Sequence, residues 1–208
     1  ILRWHMDLME AQKLNTEQHS SMNEMKTATD RMTNLLNALL QVAQLEGGGL
    51  TPKPRSVDLL AMLRATGIEA ADIARHANVQ FALQLPKQKM RIVTDEVLLG
   101  IAIQNLITNA IKYSRKAGDV TLSLRRRRRV MEIIVQDNGL GIPARDQRHL
   151  FQKFYRAPNV KAVDTDGTGL GLFITKMIVE SLGGSIALHS REEKGSTFTI
   201  SLPLPLKD

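Results

Sequence analysis

Gln104-Asn105-Leu106-Ile107-Thr108-Asn109-Ala110-Ile111-Lys112-Tyr113-Ser114 decides how this chain is read. Asn105, Asn109 and Lys112 stand at i, i+4 and i+7, which places them on one face of a helix. Around them Val97, Leu98, Leu99, Ile101, Ile103, Leu106, Ile107, Ala110 and Ile111 make the helix apolar nearly all round, and such a helix is buried. A buried amide without a partner costs on the order of a few kcal/mol. Asn105 and Asn109 are therefore expected to face a ligand or a polar cavity. Two glycine-rich turns follow, Asp137-Asn138-Gly139-Leu140-Gly141 and Asp166-Gly167-Thr168-Gly169-Leu170-Gly171. Together the three segments read as an ATP site.

Outside this set the composition bounds the answer. At 208 residues, 43% hydrophobic and 24% charged, the chain suits a soluble globular protein of one or two compact units. With no cysteine it has neither disulfides nor cysteine-ligated metals, which fits a reducing compartment. No apolar run approaches the length of a membrane span and no signal peptide is visible. The reading is of a soluble piece, cut from a longer protein. The net charge of +7 comes largely from one block, Arg125 to Arg129. With only 4% aromatic residues there is little to stack on bases, so no nucleic-acid partner is expected. The arginine block lies between strand patterns at Asp119–Leu124 and Val130–Val135. It reads as a solvated hairpin end in preference to a lipid- or partner-binding tip.

Residues 1–46 read as two helices. The first is short, running to about Ala11. Asn15 and Gln18 resemble a capping box at the start of the second. There Met22, Met25, Thr29, Met32, Leu36, Leu39 and Ala43 recur at steps of three and four, a heptad seam that needs a partner helix. The first helix is too short to cover it, so a dimeric bundle is expected. Gly47-Gly48-Gly49, Pro52 and Pro54 mark a linker over 47–54. From 55 to 208 the pattern is helix about 58–75, strands about 79–85 and 91–94, helix about 95–113, then the strand pair around the arginines. A helix near 146–152, an irregular stretch to about 168, a helix from Leu170 to Leu182, and strands about 184–189 and 196–202 complete it. That order predicts an α+β fold, a two-layer sandwich with helices on one face of a mixed sheet, preceded by the dimeric helical hairpin.

Met131, Ile133, Val135 and Asp137 alternate on one strand face, so Asp137 points inward where the strand meets Asn138-Gly139. A buried carboxylate needs a donor, and an exocyclic amine such as adenine's supplies one; alone, Asp137 would read as a turn residue. Gly167, Gly169 and Gly171 lead into a helix whose N-terminal N–H groups suit phosphate. That pattern is neither a dinucleotide fingerprint, since no strand precedes it, nor a P-loop, since Gly-Lys-Ser/Thr is missing. The irregular stretch from about Pro143 to Thr168 reads as a lid or a disordered loop. Within it Phe151, Phe154 and Tyr155 alternate with Lys153 and Arg156, either as lid anchors and phosphate-reaching cations or as a small amphipathic helix.

These residues resemble a family. The chain is similar to the cytoplasmic core of a two-component sensor histidine kinase, within the ATPase superfamily shared with DNA gyrase and the heat-shock chaperones. Asn105 to Ser114 matches its N box, Asp137 to Pro143 its first glycine box, Leu150 to Arg156 its F box and Asp166 to Gly171 its second glycine box. Gly195-Ser196-Thr197 resembles the last, shorter one. The resemblance implies ATP and Mg²⁺ as cofactors, with Asn109 ligating the metal and Asn105 beside it. Lys112 is then a phosphate contact, Tyr113 packs near adenine, and Asp137 accepts from the adenine amine while Gly139 and Gly141 pass close to it. Gly167, Thr168, Gly169, Leu170 and Gly171 line the phosphates, Thr197 belongs to the final box, Lys153 sits on the lid, and Arg156 stabilises the transferring phosphoryl group. Related ATPases that hydrolyse ATP have a glutamate base four residues before the metal-binding asparagine; Asn105 occupies that place, which disfavours water activation.

By the same resemblance the γ-phosphoryl group goes to a histidine and on to a response-regulator aspartate. Residues 1–46 are then a partial dimerisation and phosphotransfer hairpin, giving a homodimer, and 55–208 the catalytic domain. The response-regulator receiver domain is the second expected partner. Membrane attachment comes only through segments absent from this chain, the cytoplasmic portion of an inner-membrane-anchored bacterial protein. The sequence departs from the family at the phospho-accepting box: neither His5 nor His19 stands in one, and Ile1 is expected to begin just after it. A catalytically degenerate ATP-binding dimerisation module that regulates a partner remains the alternative. A serine kinase of the anti-sigma type shares the site but normally lacks the heptad helix.

Overall fold

The computed structural model describes residues 2–10, 14–47, 51–161 and 167–204, and the chain forms two compact units, Ile1–Glu46 and Gly47–Asp208. In the first unit α1 (Leu2–Glu10) packs on α2 (Thr16–Glu46). The start of α2 is a reciprocal capping box: Gln18 N–H donates to Asn15 Oδ1 (2.8 Å) and Asn15 N–H to Gln18 Oε1 (2.9 Å). Met6 and Met22 are buried. The rest of the α2 seam is not, with Met25, Met32, Leu36 and Leu39 exposed by 38–65%. Thr29, its polar member, donates its hydroxyl to the Met25 carbonyl (2.8 Å) and so presents no unsatisfied donor along the seam. Gly48 and Gly49 of the expected linker lie outside the described residues.

The second unit is a two-layer α+β sandwich. A short strand that sequence reading did not anticipate, β1 (Arg55–Asp58), opens it and ends on Asp58, whose carboxylate caps α3 (Leu59–His76) by accepting from Leu60 and Ala61 N–H. After β2 (Gln80–Gln84), β3 (Arg91–Thr94) pairs antiparallel with β1 as a separate two-stranded ribbon. Asp95 then caps α4 (Glu96–Lys112), accepting from Val97 and Leu98 N–H, and its second oxygen accepts from Lys53 N–H at 2.8 Å. One side chain thus joins the unit's first residues to its central helix.

The main sheet runs β2-β4-β5-β7-β6, with β4 (Asp119–Arg127), β5 (Val130–Asp137), β6 (Ser185–Arg191) and β7 (Gly195–Pro203). The β2–β4 pair is parallel and the others antiparallel, so the sheet is mixed. Leu122, Val135, Phe198 and Leu188 lie in one register row, and Leu124, Ile133, Ile200 and Ile186 in the next. Helices α3, α4 and α7 (Gly171–Ser181) pack together and cover that face. On the other face Arg125 pairs with the buried Glu132 (2.5 Å), so this arginine belongs to the sheet and β4 continues through Arg127, three residues past the expected end. Only Arg128, at φ 53°, and Arg129 make the turn.

The helix expected near 146–152 is largely absent. α5 spans only Ala144–Gln147, and three-residue turns replace it: His149 N–H donates to Asp146 O, Gln152 to His149 and Tyr155 to Gln152. A second short helix, α6 (Pro158–Lys161), follows inside the stretch read as irregular. The backbone bonds here repeat every three residues, not at the helical 3.6, which a periodicity search does not separate.

Candidate nucleotide site

The C-terminal end of β5 delivers Asp137 to the space between the sheet and the end of α4. Its carboxylate is 9% exposed. Oδ1 accepts from Gly139 N–H (2.9 Å) and Ser196 N–H (3.2 Å), while Oδ2 takes no hydrogen bond among the described residues. Burial pushes this carboxyl above the ordinary aspartate range, against the pull of the two backbone donors. Asp137 is thus an acceptor half satisfied by the fold and half presented to the adjoining cleft.

That cleft holds about 240 Å³, a little below the usual range of small-molecule sites (roughly 300–1,000 Å³). Asn109, Lys112 and Tyr113 of α4 line one side, with Asp137 and Gly141 at one end. Tyr155, Arg156, Ala157 and Val160 form an outer wall, and Gly167, Thr168, Gly169 and Gly171 run past at the start of α7. Ser196 and Phe198 of β7 complete the base. The lining therefore combines apolar side chains and a single buried acceptor with glycines, an open helix N-terminus and an asparagine amide.

Five expected residues are not on the wall. Asn105 lies one turn back along α4, half-buried, because α4 has a polar stripe through Gln104, Asn105, Thr108 and Asn109 instead of being apolar all round. Lys153 is exposed with its Nζ 5.3 Å from the Phe173 ring centroid. Leu170 is fully buried and its N–H already donates to Thr168 Oγ1 at 3.2 Å. Thr197 points away, since alternation along β7 turns Ser196 and Phe198 to the cleft instead. Gly139 is a packing glycine: a Cβ there would sit 2.1 Å from the Tyr113 carbonyl oxygen, which accepts from Leu140 N–H. Asp166 lies outside the described residues.

Sequence reading missed the apolar lining, Ala110, Ile142, Leu150, Val160 and Phe198. It also missed the polar scaffold behind Gly141. There Ser190 Oγ accepts from Ile142 N–H (2.9 Å), donates to Gly195 O (2.9 Å) and lies 3.0 Å from Ser196 Oγ. Gln147 Nε2 donates to both Ile142 O and Ser190 O at 2.9 Å. Gly141 itself sits at φ 61°, a conformation that favours glycine, and a Cβ would meet the Arg191 carbonyl at 1.9 Å. No histidine lines the cleft, and Asp137 is its only carboxylate among the described residues.

Residues 94–206 match the model of the histidine kinase-, DNA gyrase B-, and HSP90-like ATPase family, more than half of the chain. The chain belongs to that family. Within it the chain is 34% identical over 180 residues to the sensor-like histidine kinase SenX3 of Mycolicibacterium smegmatis, covering 86% of this chain and 47% of that protein. It is 32% identical over 177 residues to the sensor histidine kinase WalK of Bacillus subtilis, covering 84% of this chain and 29% of that one. The chain thus spans less than half the length of these relatives. Among solved structures, full-length ShkA in complex with AMPPNP superimposes with a TM-score of 0.79 over 96% of this chain and 41% of that one, at 26% identity. ThkA bound to the response regulator TrrA shares the fold, with a TM-score of 0.75 over 97% of this chain and 56% of that one, at 18% identity.

Proposed function

We propose that this chain is the ATP-binding core of a two-component sensor histidine kinase, a phosphotransferase that delivers the γ-phosphoryl group of ATP to a histidine and thence to a response-regulator aspartate. The observation that carries the reading is Asp137. A buried carboxylate with one oxygen fixed by two backbone donors and the other facing an apolar cleft accepts from an amine, as adenine's offers. Asn109, Lys112 and Arg156, with Gly167, Thr168, Gly169 and Gly171, stand where the phosphates would lie. Tyr113 closes the base end.

Mg²⁺ fits this donor set. Mg²⁺ characteristically takes few protein oxygens and completes its shell with substrate phosphates and water, and Asn109 brings an amide oxygen to the cleft. Asn109 would hold it through its amide oxygen, and the ion would neutralise phosphate charge. The chain's own contribution is to position the nucleotide, and Asn105, four residues before Asn109 where ATP-hydrolysing relatives carry a glutamate base, cannot activate water; transfer to a protein side chain is favoured over hydrolysis on that ground.

The exposed seam on α2 supports a homodimer through the helices, and the likeness to the ThkA–TrrA complex supports a receiver-domain partner. No helix of the described residues is long and apolar enough to cross a membrane, so anchoring in an inner membrane would rest on other segments of the full-length protein. The direct test is a titration with a fluorescent ATP analogue, with and without Mg²⁺, on wild type and Asn109→Ala. The expected result is magnesium-dependent binding that the substitution weakens about tenfold or more. Unaltered magnesium-dependent affinity in the variant would contradict the assignment.

A further inference from the structure

The outer wall of the cleft hangs from a column of side chains that the reaction itself does not use. The three-residue turns after α5 bring every third residue into line: Asp146, His149, Gln152 and Tyr155. Their side chains touch one another, and the last closes back on the first. His149 Nδ1 lies 3.2 Å from Gln152 Oε1, the His149 and Tyr155 rings are 5.4 Å apart between centroids, and Tyr155 OH donates to Asp146 Oδ1 at 2.7 Å. Asp146 is buried, 6% exposed, and its Oδ2 has no hydrogen-bond partner among the described residues; Arg145 Nε approaches to 3.7 Å. A buried carboxylate with so little compensation is costly, so the bond from Tyr155 is a strong one.

The bottom of the column is fixed. Gln147, next to Asp146, is tied to Ile142 and to Ser190 of β6. The top is the wall: Tyr155, Arg156, Ala157 and Val160 all line the cleft, whereas Asp146 does not. The far end of the same segment has its own tie, Asn159 Nδ2 to the Gly141 carbonyl at 3.0 Å. Arg156 therefore sits between two anchors, one at residue 155 and one at 159.

We propose that Asp146 is a positioning residue: by holding the Tyr155 hydroxyl it fixes the Tyr155–Val160 wall of the cleft, and with it Arg156, without touching the ligand. The effect on nucleotide rests on the ATP reading above; the effect on the wall does not. The carboxylate also pushes the Tyr155 phenol above its ordinary range, which keeps the hydroxyl a donor at any physiological pH.

Two measurements test this on the whole chain. In the ligand-free protein, amide hydrogen exchange of residues 148–161 should quicken in Tyr155→Phe and Asp146→Ala while α4 and the sheet stay protected. In titrations with the fluorescent ATP analogue each variant should bind about tenfold more weakly, and the double variant no worse than either single one. Asp146→Asn, which keeps an acceptor for the hydroxyl, should restore most of both properties, a rescue that loss of a generic buried residue would not show. Tyr155→Phe keeps the ring and guards against a folding failure in the alanine variant. Wild-type exchange in Tyr155→Phe, unchanged affinity despite faster exchange, or an asparagine variant as impaired as the alanine one would each overturn the proposal. Absence of nucleotide binding by wild type would instead sink the ATP reading, and the exchange experiment would still decide the wall.

Discussion

Replacing Asp137 with asparagine should separate the work of this residue for the ligand from its cost to the fold. Asparagine is nearly isosteric and its Oδ1 can still accept from Gly139 and Ser196 N–H, so the local backbone should hold. What disappears is a buried negative charge. Because burial raises the folded-state value above the ordinary 3.8, the folded protein binds the proton more tightly than the unfolded chain. The contribution of Asp137 is therefore fully present below 3.8 and is lost as pH rises through the raised value, leaving a penalty at neutral pH. Asp137→Asn should lack that decline. Its melting temperature near pH 7 should equal or exceed wild type, and its stability should fall less between acidic and neutral pH. Nucleotide affinity should move the other way: a hydrogen bond to a charged group contributes about 1.5–3 kcal/mol, or roughly ten- to hundredfold in dissociation constant. Thermal melts across pH, paired with titration of the fluorescent ATP analogue, read both effects. A variant less stable at pH 7 with wild-type pH dependence, or one that binds ATP normally, would refute the reasoning.

Three further perturbations probe the frame around the site. Gly139→Ala forces a Cβ against the Tyr113 carbonyl and should lower stability by about 1–3 kcal/mol or more, whereas at Gly171 a Cβ meets nothing within 4 Å, so Gly171→Ala should leave the melting temperature unchanged or higher and show any loss only in nucleotide affinity. Asp95→Ala removes the α4 cap and the tie to Lys53 and should cost about 1–2 kcal/mol in urea denaturation. Although burial opposes it, the backbone donors from Lys53, Leu98 and Val97 and the Arg55 charge hold the Asp95 carboxyl below 3.8, so its contribution is present above that pH and is lost as pH falls through the lowered value. The variant and wild type should accordingly converge in stability at strongly acidic pH.

The parts of this fold that sequence made legible are those governed by a single period. The alternation of Met131, Ile133, Val135 and Asp137 placed the acid correctly, and the capping residues Asn15 and Gln18 placed the start of α2. β1 escaped notice because four residues, Arg55–Asp58, give no periodicity and its pairing with β3 is a long-range event. The segment from Ala144 to Lys161 reads in sequence as helix then irregular chain because its bonds close over three residues and its order rests on a contact between Asp146 and Tyr155 nine positions apart. Asn105 is expected at a ligand on the reading of α4 as apolar nearly all round; in the structure the helix carries a polar stripe that leaves this amide half-buried. Gly139 and Gly141 make room for neighbouring backbone, which only the tertiary structure supplies.

The strand that carries Asp137 also carries the arginines at its other end. Val130 to Asp137 is seven steps of about 3.3 Å, so some 23 Å separate the Arg128-Arg129 turn from the buried carboxylate. At physiological ionic strength the Debye length is about 8 Å, and a field crossing nearly three such lengths through the surrounding electrolyte is almost extinguished. Arg128 and Arg129 are therefore nearly silent electrically at the cleft, and Arg125, closer along the strand, is already paired with Glu132. A nucleotide approaching the protein in a cell meets, at the mouth of its site, the potential set by Lys112, Arg156 and the dipole of α7, not that of a strongly basic protein.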